Sequence, residues 1–241
     1  MSGPTIVIVP GFWLGPKPYE LLAEELKKAA PSIPEIVYAE LASTGTKSPN
    51  APTMQDDANG IRAVIKPLVE AGKKVVVIGH SSGAFLSAMA TEDLEVGQKL
   101  AKSGGGVERF VFIAGGILPV GARHPPTDWE EKDGATFLPS PETKLFTDVD
   151  PSIAAKHCTP FIKSQPLMSD WNVECTYTGW DKVPSTYVLT EDDQTISPQV
   201  QEMCAGLAGS EVVRVKTGHM PMLADPRGLA GVVVKSIGLK E

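Results

Sequence analysis

A serine flanked by glycines stands at the end of an apolar run in the first half of the chain. Residues 79–83 read G-H-S-S-G, so Ser81 is the centre of a G-x-S-x-G pattern directly after Val75–Ile78. A helical pattern, Ser82–Ala90, follows at once. A tight turn from a strand into a helix needs small residues on both sides, and it holds the serine hydroxyl up at the edge of the sheet. This arrangement predicts that Ser81 is a nucleophile.

A serine nucleophile needs a base, and the base needs a carboxylate that fixes its tautomer. Of the four histidines, we favour His219, because it follows the last strand pattern and a loop side chain there can reach Ser81. His80 adjoins Ser81 on the same turn and is expected to point away from it. His124 and His157 lie within residues 119–184, where the sequence shows no convincing strand.

The carboxylate is expected after the strand pattern Thr186–Leu189, where the chain reads Glu191-Asp192-Asp193. We favour Asp193, which lies three residues after Thr190, and Asp192 remains the alternative. A single loop cannot use all three acids, so the others are expected to be solvated. The catalytic set that the sequence predicts is Ser81, Asp193 and His219.

Two backbone N–H groups are candidates for an oxyanion hole. The start of the helix offers the N–H of Ser82. After the first strand pattern, Gly11 allows close approach of the backbone, so the N–H of Phe12 is the second candidate. The side chains of Phe12, Trp13 and Met220 are predicted to contact the substrate.

Short apolar runs alternate with helical patterns along most of the chain. The apolar runs are Thr5–Val9, Ile36–Tyr38, Val75–Ile78, Phe110–Ile113, Thr186–Leu189 and Val212–Val215. The helical patterns are Tyr19–Ala30, Asp56–Ala71, Ser82–Ala90, Pro198–Leu207 and Pro226–Ile237. Ser197 and Asp225 each precede a proline, as a capping residue does at the start of a helix. The alternation predicts an α/β fold, with a mostly parallel central sheet and helices on both faces.

Residues 119–184 interrupt this alternation. They contain scattered prolines and no convincing strand, and they hold six of the eleven Phe and Trp residues. A structureless loop of this length is uncommon inside a compact domain. We therefore predict an inserted, largely helical cap within a single domain that spans residues 1–241.

On these residues and motifs, the chain resembles the α/β-hydrolases over essentially its whole length. Ser81, Asp193 and His219 follow the chain order of the triad in that family. The resemblance is strongest to a small capped group that includes plant methyl esterases, hydroxynitrile lyases and fungal hydrolases. Members often have His-Gly where this chain has Pro10-Gly11, a departure that lies beside the oxyanion hole.

The resemblance implies hydrolysis of an ester, thioester or lactone without a cofactor. We expect a small hydrophobic or aromatic substrate that is cleaved through an acyl-enzyme. A cofactor-independent lyase, cyclase or C–C bond hydrolase on the same triad, or a non-catalytic ligand-binding relative, is the alternative. Hydroxynitrile lyases of this group carry a threonine where Gly11 stands and a lysine where Met220 stands, so both lyase features are absent from this sequence.

Composition limits the remaining function classes. The chain has 22 Lys+Arg against 29 Asp+Glu, a net charge of −7, which argues against a nucleic-acid-binding face. Cys158, Cys175 and Cys204 fit neither a redox motif nor a zinc site, so we expect a reducing compartment and no metal. The apolar run Ile6–Val9 is too short for a signal peptide or a membrane span, and a cytoplasmic protein is expected. The predicted partner is a small-molecule substrate, without nucleic acid or membrane, and a homodimer is left open.

Overall fold

A six-stranded sheet in which all neighbouring strands are parallel runs through the centre of the molecule. The computed structural model describes residues 3–101 and 104–239, and the predicted domain boundaries at residues 1 and 241 lie outside the described residues. The strands of the chain are β1 (Thr5–Val9), β2 (Ile36–Tyr38), β3 (Lys74–His80), β4 (Gly106–Ile113), β5 (Glu130–Lys132), β6 (Ala135–Phe137), β7 (Gln165–Pro166), β8 (Ser185–Thr190) and β9 (Glu211–Val215). The central sheet has the order β2-β1-β3-β4-β8-β9.

Helices cover both faces of this sheet. They are α1 (Glu20–Ala29), α2 (Met54–Glu70), α3 (Ser82–Met89), α4 (Pro141–Lys144), α5 (Pro151–His157), α6 (Met168–Trp171), α7 (Pro198–Ala208), α8 (Pro221–Ala224) and α9 (Pro226–Ser236). The side chains of Ser197 and Asp225 accept hydrogen bonds from Val200 N and Gly228 N, so both predicted caps are formed. Each cap satisfies a backbone N–H that the first helical turn leaves without a partner.

The hydrophobic core forms two layers because side chains alternate along each strand. In β1, Val7 and Val9 pack into the layer that contains residues of α2, α3 and α7. Ile6 and Ile8 pack into the opposite layer, with residues of α1 and α9. Strands buried on both faces are typical of parallel sheets between helices. The predicted fold class is confirmed.

The register of the sheet brings the loops after four strands to one edge. Val9 lies opposite Gly79, so the loop after β1 lies beside the turn after β3. Thr190 lies opposite Val215, so the loops after β8 and β9 are neighbours as well. The carboxyl ends of parallel strands are the usual place for a ligand site in such a fold.

The segment 119–184 is less regular than the prediction of a largely helical cap suggested. Its helices α4, α5 and α6 are short, and it also contains a three-stranded antiparallel sheet of the order β5-β6-β7. The two outer strands have only three and two residues. Within residues 3–101 and 104–239, no helix is long and apolar enough to cross a membrane.

Candidate active site

Ser81 occupies a strained turn between β3 and α3. Its backbone has φ 54° and ψ −124°, a conformation that L-residues with a side chain rarely adopt. A Cβ at position 79 would lie 2.7 Å from Ala84 Cα, and one at position 83 would lie 2.5 Å from the Val9 carbonyl oxygen. The glycines on either side of Ser81 are therefore required because the turn packs directly against backbone.

The loop after β1 lies against the same turn. A Cβ at Gly11 would lie 2.8 Å from Ser81 Cβ, so only a glycine permits this approach. In the part of the chain that the structure describes, the N–H groups of Phe12 and Ser82 make no hydrogen bond. Two unpartnered donors therefore lie beside Ser81, as an oxyanion hole requires.

His219 and Asp193 form a buried hydrogen-bonded pair in the loops after β9 and β8. The Nδ1 of His219 donates to Asp193 Oδ2 at 2.8 Å, and both side chains are almost completely buried. Asp192 is exposed, and its backbone N–H donates to the Thr217 carbonyl instead. The structure thus brings Asp193, and not Asp192, to the histidine.

Asp193 is held as a carboxylate by a dense set of donors. Its oxygens accept hydrogen bonds from Thr195 N at 2.7 Å, Ile196 N at 3.0 Å, Thr190 Oγ1 at 2.9 Å and Gln201 Nε2 at 3.1 Å. Burial alone would raise the pKa of Asp193, but His219 and these N–H groups outweigh it and hold the pKa below its usual range. The sequence analysis did not predict that Thr190 and Gln201 bind Asp193. The only sequence signal for Gln201 is that a polar side chain lies on a helix that packs against the sheet.

The arrangement leaves His219 able to take up a proton. Because the Asp193 carboxylate accepts from Nδ1, Nε2 carries the free lone pair. The Ser81 hydroxyl makes no hydrogen bond to His219 or to any other residue that the structure describes. In hydrolases without a bound substrate, the contact between nucleophile and base is often longer than a hydrogen bond.

His80 points away from the serine, as expected, and connects the two loops of the site. Its Nε2 donates to the His219 carbonyl at 2.8 Å, and its Nδ1 accepts from the Tyr19 hydroxyl at 2.8 Å. The same hydroxyl accepts from Gly11 N at 3.1 Å. Burial lowers the pKa of His80 to about 3, so the ring is neutral. Sequence reasoning missed Tyr19, which has no motif of its own.

A cavity of about 740 Å³ opens in front of Ser81. Aromatic residues, aliphatic residues and several polar residues line it, and the aromatic ones are Phe12, Trp13, Phe85, His124 and Trp129. The prediction of a substrate contact is consistent with the positions of Phe12 and Trp13. Met220 is different: its side chain is completely buried in the core layer with α1 and α9 and does not line the cavity. The prediction that Met220 contacts the substrate is therefore wrong, because its side chain packs into the hydrophobic core.

A buried acid attaches the 119–184 segment to the rest of the molecule. Asp57 in α2 accepts hydrogen bonds from Ser43 N at 2.7 Å, Ser43 Oγ at 2.6 Å and Trp171 Nε1 at 2.7 Å. Burial raises the pKa of Asp57 in spite of these three donors. The Trp171 ring in turn lies 4.8 Å from the Phe12 ring, edge to face. Asp57 therefore supports an aromatic group directly behind the cavity wall.

No group of three or more His, Cys, Asp or Glu side chains within the described ranges is arranged to hold a metal ion.

Comparison with known proteins identifies the family of the chain. The profile of the alpha/beta hydrolase family matches residues 6–232, so the chain belongs to that family and is a hydrolase. The chain is 28% identical over 240 residues to the alpha/beta hydrolase nvfD of Aspergillus novofumigatus, covering 94% of this chain and 93% of that protein. It is 24% identical over 259 residues to the probable hydrolase R7 of a Phoma species, covering 99% and 100%.

Among solved structures, polyneuridine aldehyde esterase has a similar fold. The two superpose with a TM-score of 0.73 over 98% of this chain and 99% of the esterase, at 16% sequence identity. At that identity the likeness extends to the fold alone.

Proposed function

We propose that the protein is a serine hydrolase that cleaves an ester, thioester or lactone of a small hydrophobic or aromatic substrate. The observation that carries this proposal is the buried hydrogen bond between His219 Nδ1 and Asp193 Oδ2, next to a serine on a strained turn. A histidine oriented in this way can act as general base toward a hydroxyl. Ser81, His219 and Asp193 would form the catalytic triad.

The proposed reaction has two stages. The Ser81 Oγ attacks the substrate carbonyl while His219 Nε2 takes the hydroxyl proton, and the N–H groups of Phe12 and Ser82 stabilise the oxyanion. His219 then gives the proton to the leaving group, which departs and leaves an acyl-enzyme on Ser81. A water molecule then attacks the acyl group while His219 takes one of its protons. The bond between the acyl carbon and Ser81 Oγ breaks, His219 returns the proton to Oγ, and the acid is released. Asp193 stays ionised throughout and stabilises the imidazolium.

The cavity wall supports the proposed substrate class. Phe12, Trp13 and Trp129 are in mutual edge-to-face contact, with ring centroids 4.7–5.9 Å apart. Pockets with apolar walls of this kind favour hydrophobic groups, and each buried methylene contributes about 0.8 kcal/mol. We expect kcat/KM for aryl or medium-chain acyl esters to exceed that for acetate esters by at least about tenfold.

A panel of purified esters tests the proposal. Methyl and aryl esters of acetate, a medium-chain acid, an aromatic acid and a dicarboxylic acid are compared by kcat/KM for the native protein and for His219→Ala. We expect the aromatic or medium-chain ester to be best, and His219→Ala to lose about 10⁴-fold or more in kcat. Preference for acetate or for the carboxylate-bearing ester would contradict the substrate class. Full activity of His219→Ala would contradict the mechanism.

A further inference from the structure

His124 contributes a polar atom to the aromatic wall of the cavity. Its Nδ1 lies 2.8 Å from the Pro125 carbonyl oxygen, and a carbonyl can only accept a hydrogen bond. The ring proton is therefore on Nδ1, and Nε2 carries a free lone pair. Burial lowers the pKa of His124, which keeps the ring neutral and the lone pair available.

The ring of His124 is fixed in place from two sides. Asn172 binds its backbone twice: His124 N donates to the Asn172 side-chain oxygen at 2.9 Å, and Asn172 Nδ2 donates to the His124 carbonyl at 2.8 Å. The ring itself packs against Phe12, Phe85 and Trp129, with centroids 5.9, 5.9 and 5.6 Å away. An acceptor held this firmly loses little conformational freedom when a ligand binds it.

Within the described residues, Nε2 of His124 has no hydrogen-bond partner. The Ser82 hydroxyl is buried from solvent, whereas His124 Nε2 is accessible. A ligand in the cavity can therefore reach His124 Nε2. The Asp193 carboxylate, which lines the same cavity, is already occupied by His219 and its other donors. Asp128 and Gln194 also line the cavity but are exposed to solvent. His124 is thus a half-buried acceptor that a substrate can satisfy.

We propose that His124 is a specificity-determining residue that accepts, through Nε2, a hydrogen bond from a hydroxyl or N–H group on the substrate. The preferred ester then combines a hydrophobic or aromatic body with one such donor. This inference rests on the proposed esterase function. An anionic substrate group does not fit, because a neutral imidazole offers it no charge, and Asp128 and Asp193 line the same cavity.

The test compares esters that differ only in the donor. Methyl esters of phenylacetic acid are prepared with a hydroxyl or a methoxy group at the 2, 3 or 4 position of the ring. Methylation removes the donor and keeps the oxygen and the ring. We expect the hydroxyl ester of at least one positional pair to be favoured by about tenfold in kcat/KM, mainly through KM, since a net hydrogen bond has about this strength.

Two variants assign the preference to His124. In His124→Phe, which keeps an aromatic ring and lacks the acceptor, the hydroxyl preference should disappear. In His124→Gln, the side-chain oxygen can accept a hydrogen bond, so part of the preference for the hydroxyl ester should return. Equal rates for hydroxyl and methoxy esters in the native protein, or an undiminished preference in His124→Phe, would overturn the inference.

A binding measurement separates this inference from the proposed reaction. In Ser81→Ala, which cannot turn over, the same ester pairs are titrated by tryptophan fluorescence, because Trp13 and Trp129 line the cavity. We expect the hydroxyl ester to bind about tenfold more tightly than its methoxy partner, and His124→Phe introduced into Ser81→Ala to remove the difference. Selective binding without turnover by the native protein would overturn only the esterase function. Turnover without selective binding would overturn only the role of His124.

Discussion

Two regions of the molecule meet at the cavity: the edge of the central sheet where its strands end, and the 119–184 segment. Different contacts hold each of them in place. At the sheet edge, Ser81 and Asp193 follow strands with buried side chains, β3 and β8. His219 follows the outer strand β9, whose side chains are largely exposed and whose backbone pairs with β8.

The 119–184 segment has only short strands and helices. Side-chain contacts such as that of Trp171 with Asp57, and separate backbone hydrogen bonds such as that of Ser48 N with the Gly134 carbonyl, attach it to the rest of the molecule. The proposed chemistry thus lies in the turn and loops that directly follow paired strands, and part of the proposed substrate recognition lies on a segment that separate contacts position. The two should respond to different mutations.

The largest expected effect is on the sheet edge. Asp193→Asn should lower kcat by roughly 10⁴-fold, because an amide at this position no longer selects the histidine tautomer that accepts the serine proton. Asp192→Asn is the matched control, since its side chain is exposed and the residue is adjacent in the chain. We expect it to change kcat by less than about threefold. A larger loss in Asp192→Asn than in Asp193→Asn would show that the acid is assigned to the wrong residue.

A substitution at Asp57 breaks a contact that attaches the 119–184 segment, without changing Ser81, Asp193 or His219. Asp57→Ala leaves the Ser43 N–H and the Trp171 Nε1–H buried without an acceptor, while the Ser43 hydroxyl can still donate to Gln165 Oε1. We expect a loss of about 3 kcal/mol in the free energy of unfolding. Because Trp171 supports Phe12 in the cavity wall, KM for an aromatic ester should rise more than kcat falls. Urea unfolding and steady-state kinetics measure the two effects.

The neighbouring Asp56 provides the control for that experiment. It is exposed and forms the capping box of α2 with Thr53. Asp56→Ala should cost about 1 kcal/mol in stability and leave KM unchanged. Equal changes of KM in both variants would contradict the claim that the sheet edge and the 119–184 segment respond to different mutations. Loss of kcat in a folded Asp57→Ala protein would contradict it as well.

Because His80 is buried and neutral, the stability of the protein should decrease in acid. Its pKa in the folded protein is about 3, below the ordinary histidine value. Between pH 6 and pH 4 the unfolded chain therefore binds a proton there that the folded protein does not, and stability falls as the pH falls. Over this range, His80 should lower the free energy of unfolding by about 1.4 kcal/mol for each pH unit of acidification. His80→Gln keeps a donor for the His219 carbonyl and cannot titrate, so its unfolding free energy should fall less steeply. Identical slopes for both proteins would contradict the neutral state of His80.

The smallest expected effect is at Ser82. Its hydroxyl is buried and has no hydrogen-bond partner within residues 3–101 and 104–239. Ser82→Ala keeps the backbone N–H and removes the unsatisfied hydroxyl, so we expect stability to stay equal or rise by about 0.5 kcal/mol. Thermal unfolding measures the change. A loss of more than about 1 kcal/mol would mean that the hydroxyl has a partner in solution, such as a bound water molecule.

Sequence reasoning recovered the sheet edge better than the segment for a physical reason. The inner strands of the central sheet, β1, β3, β4 and β8, contain continuous apolar runs. Ser197 and Asp225 mark helix starts by local hydrogen bonds, so neighbouring residues carry the information. By contrast, β5 is a run of exposed charged residues whose pairing depends on β6. No local pattern distinguishes it from a loop.

The residues that support the candidate site were missed for the same reason. Asp57 is one of two adjacent acids at the start of α2, and its contact with Trp171 joins residues that are 114 positions apart. Met220 follows the histidine directly, which suggested a substrate contact, but the turn into α8 directs it into the core. Such outcomes depend on tertiary packing, which spacing along the chain does not encode.

Covalent labelling of Ser81 tests the central claim most directly. An activated aryl phosphonate is incubated with the native protein, Ser81→Ala and His219→Ala, and the digested peptides are analysed by mass spectrometry. A triad requires one adduct, on Ser81, that is absent from Ser81→Ala and forms far more slowly in His219→Ala. No adduct on the native protein, or equal labelling of Ser81→Ala at another residue, would contradict the assignment of Ser81 as the nucleophile.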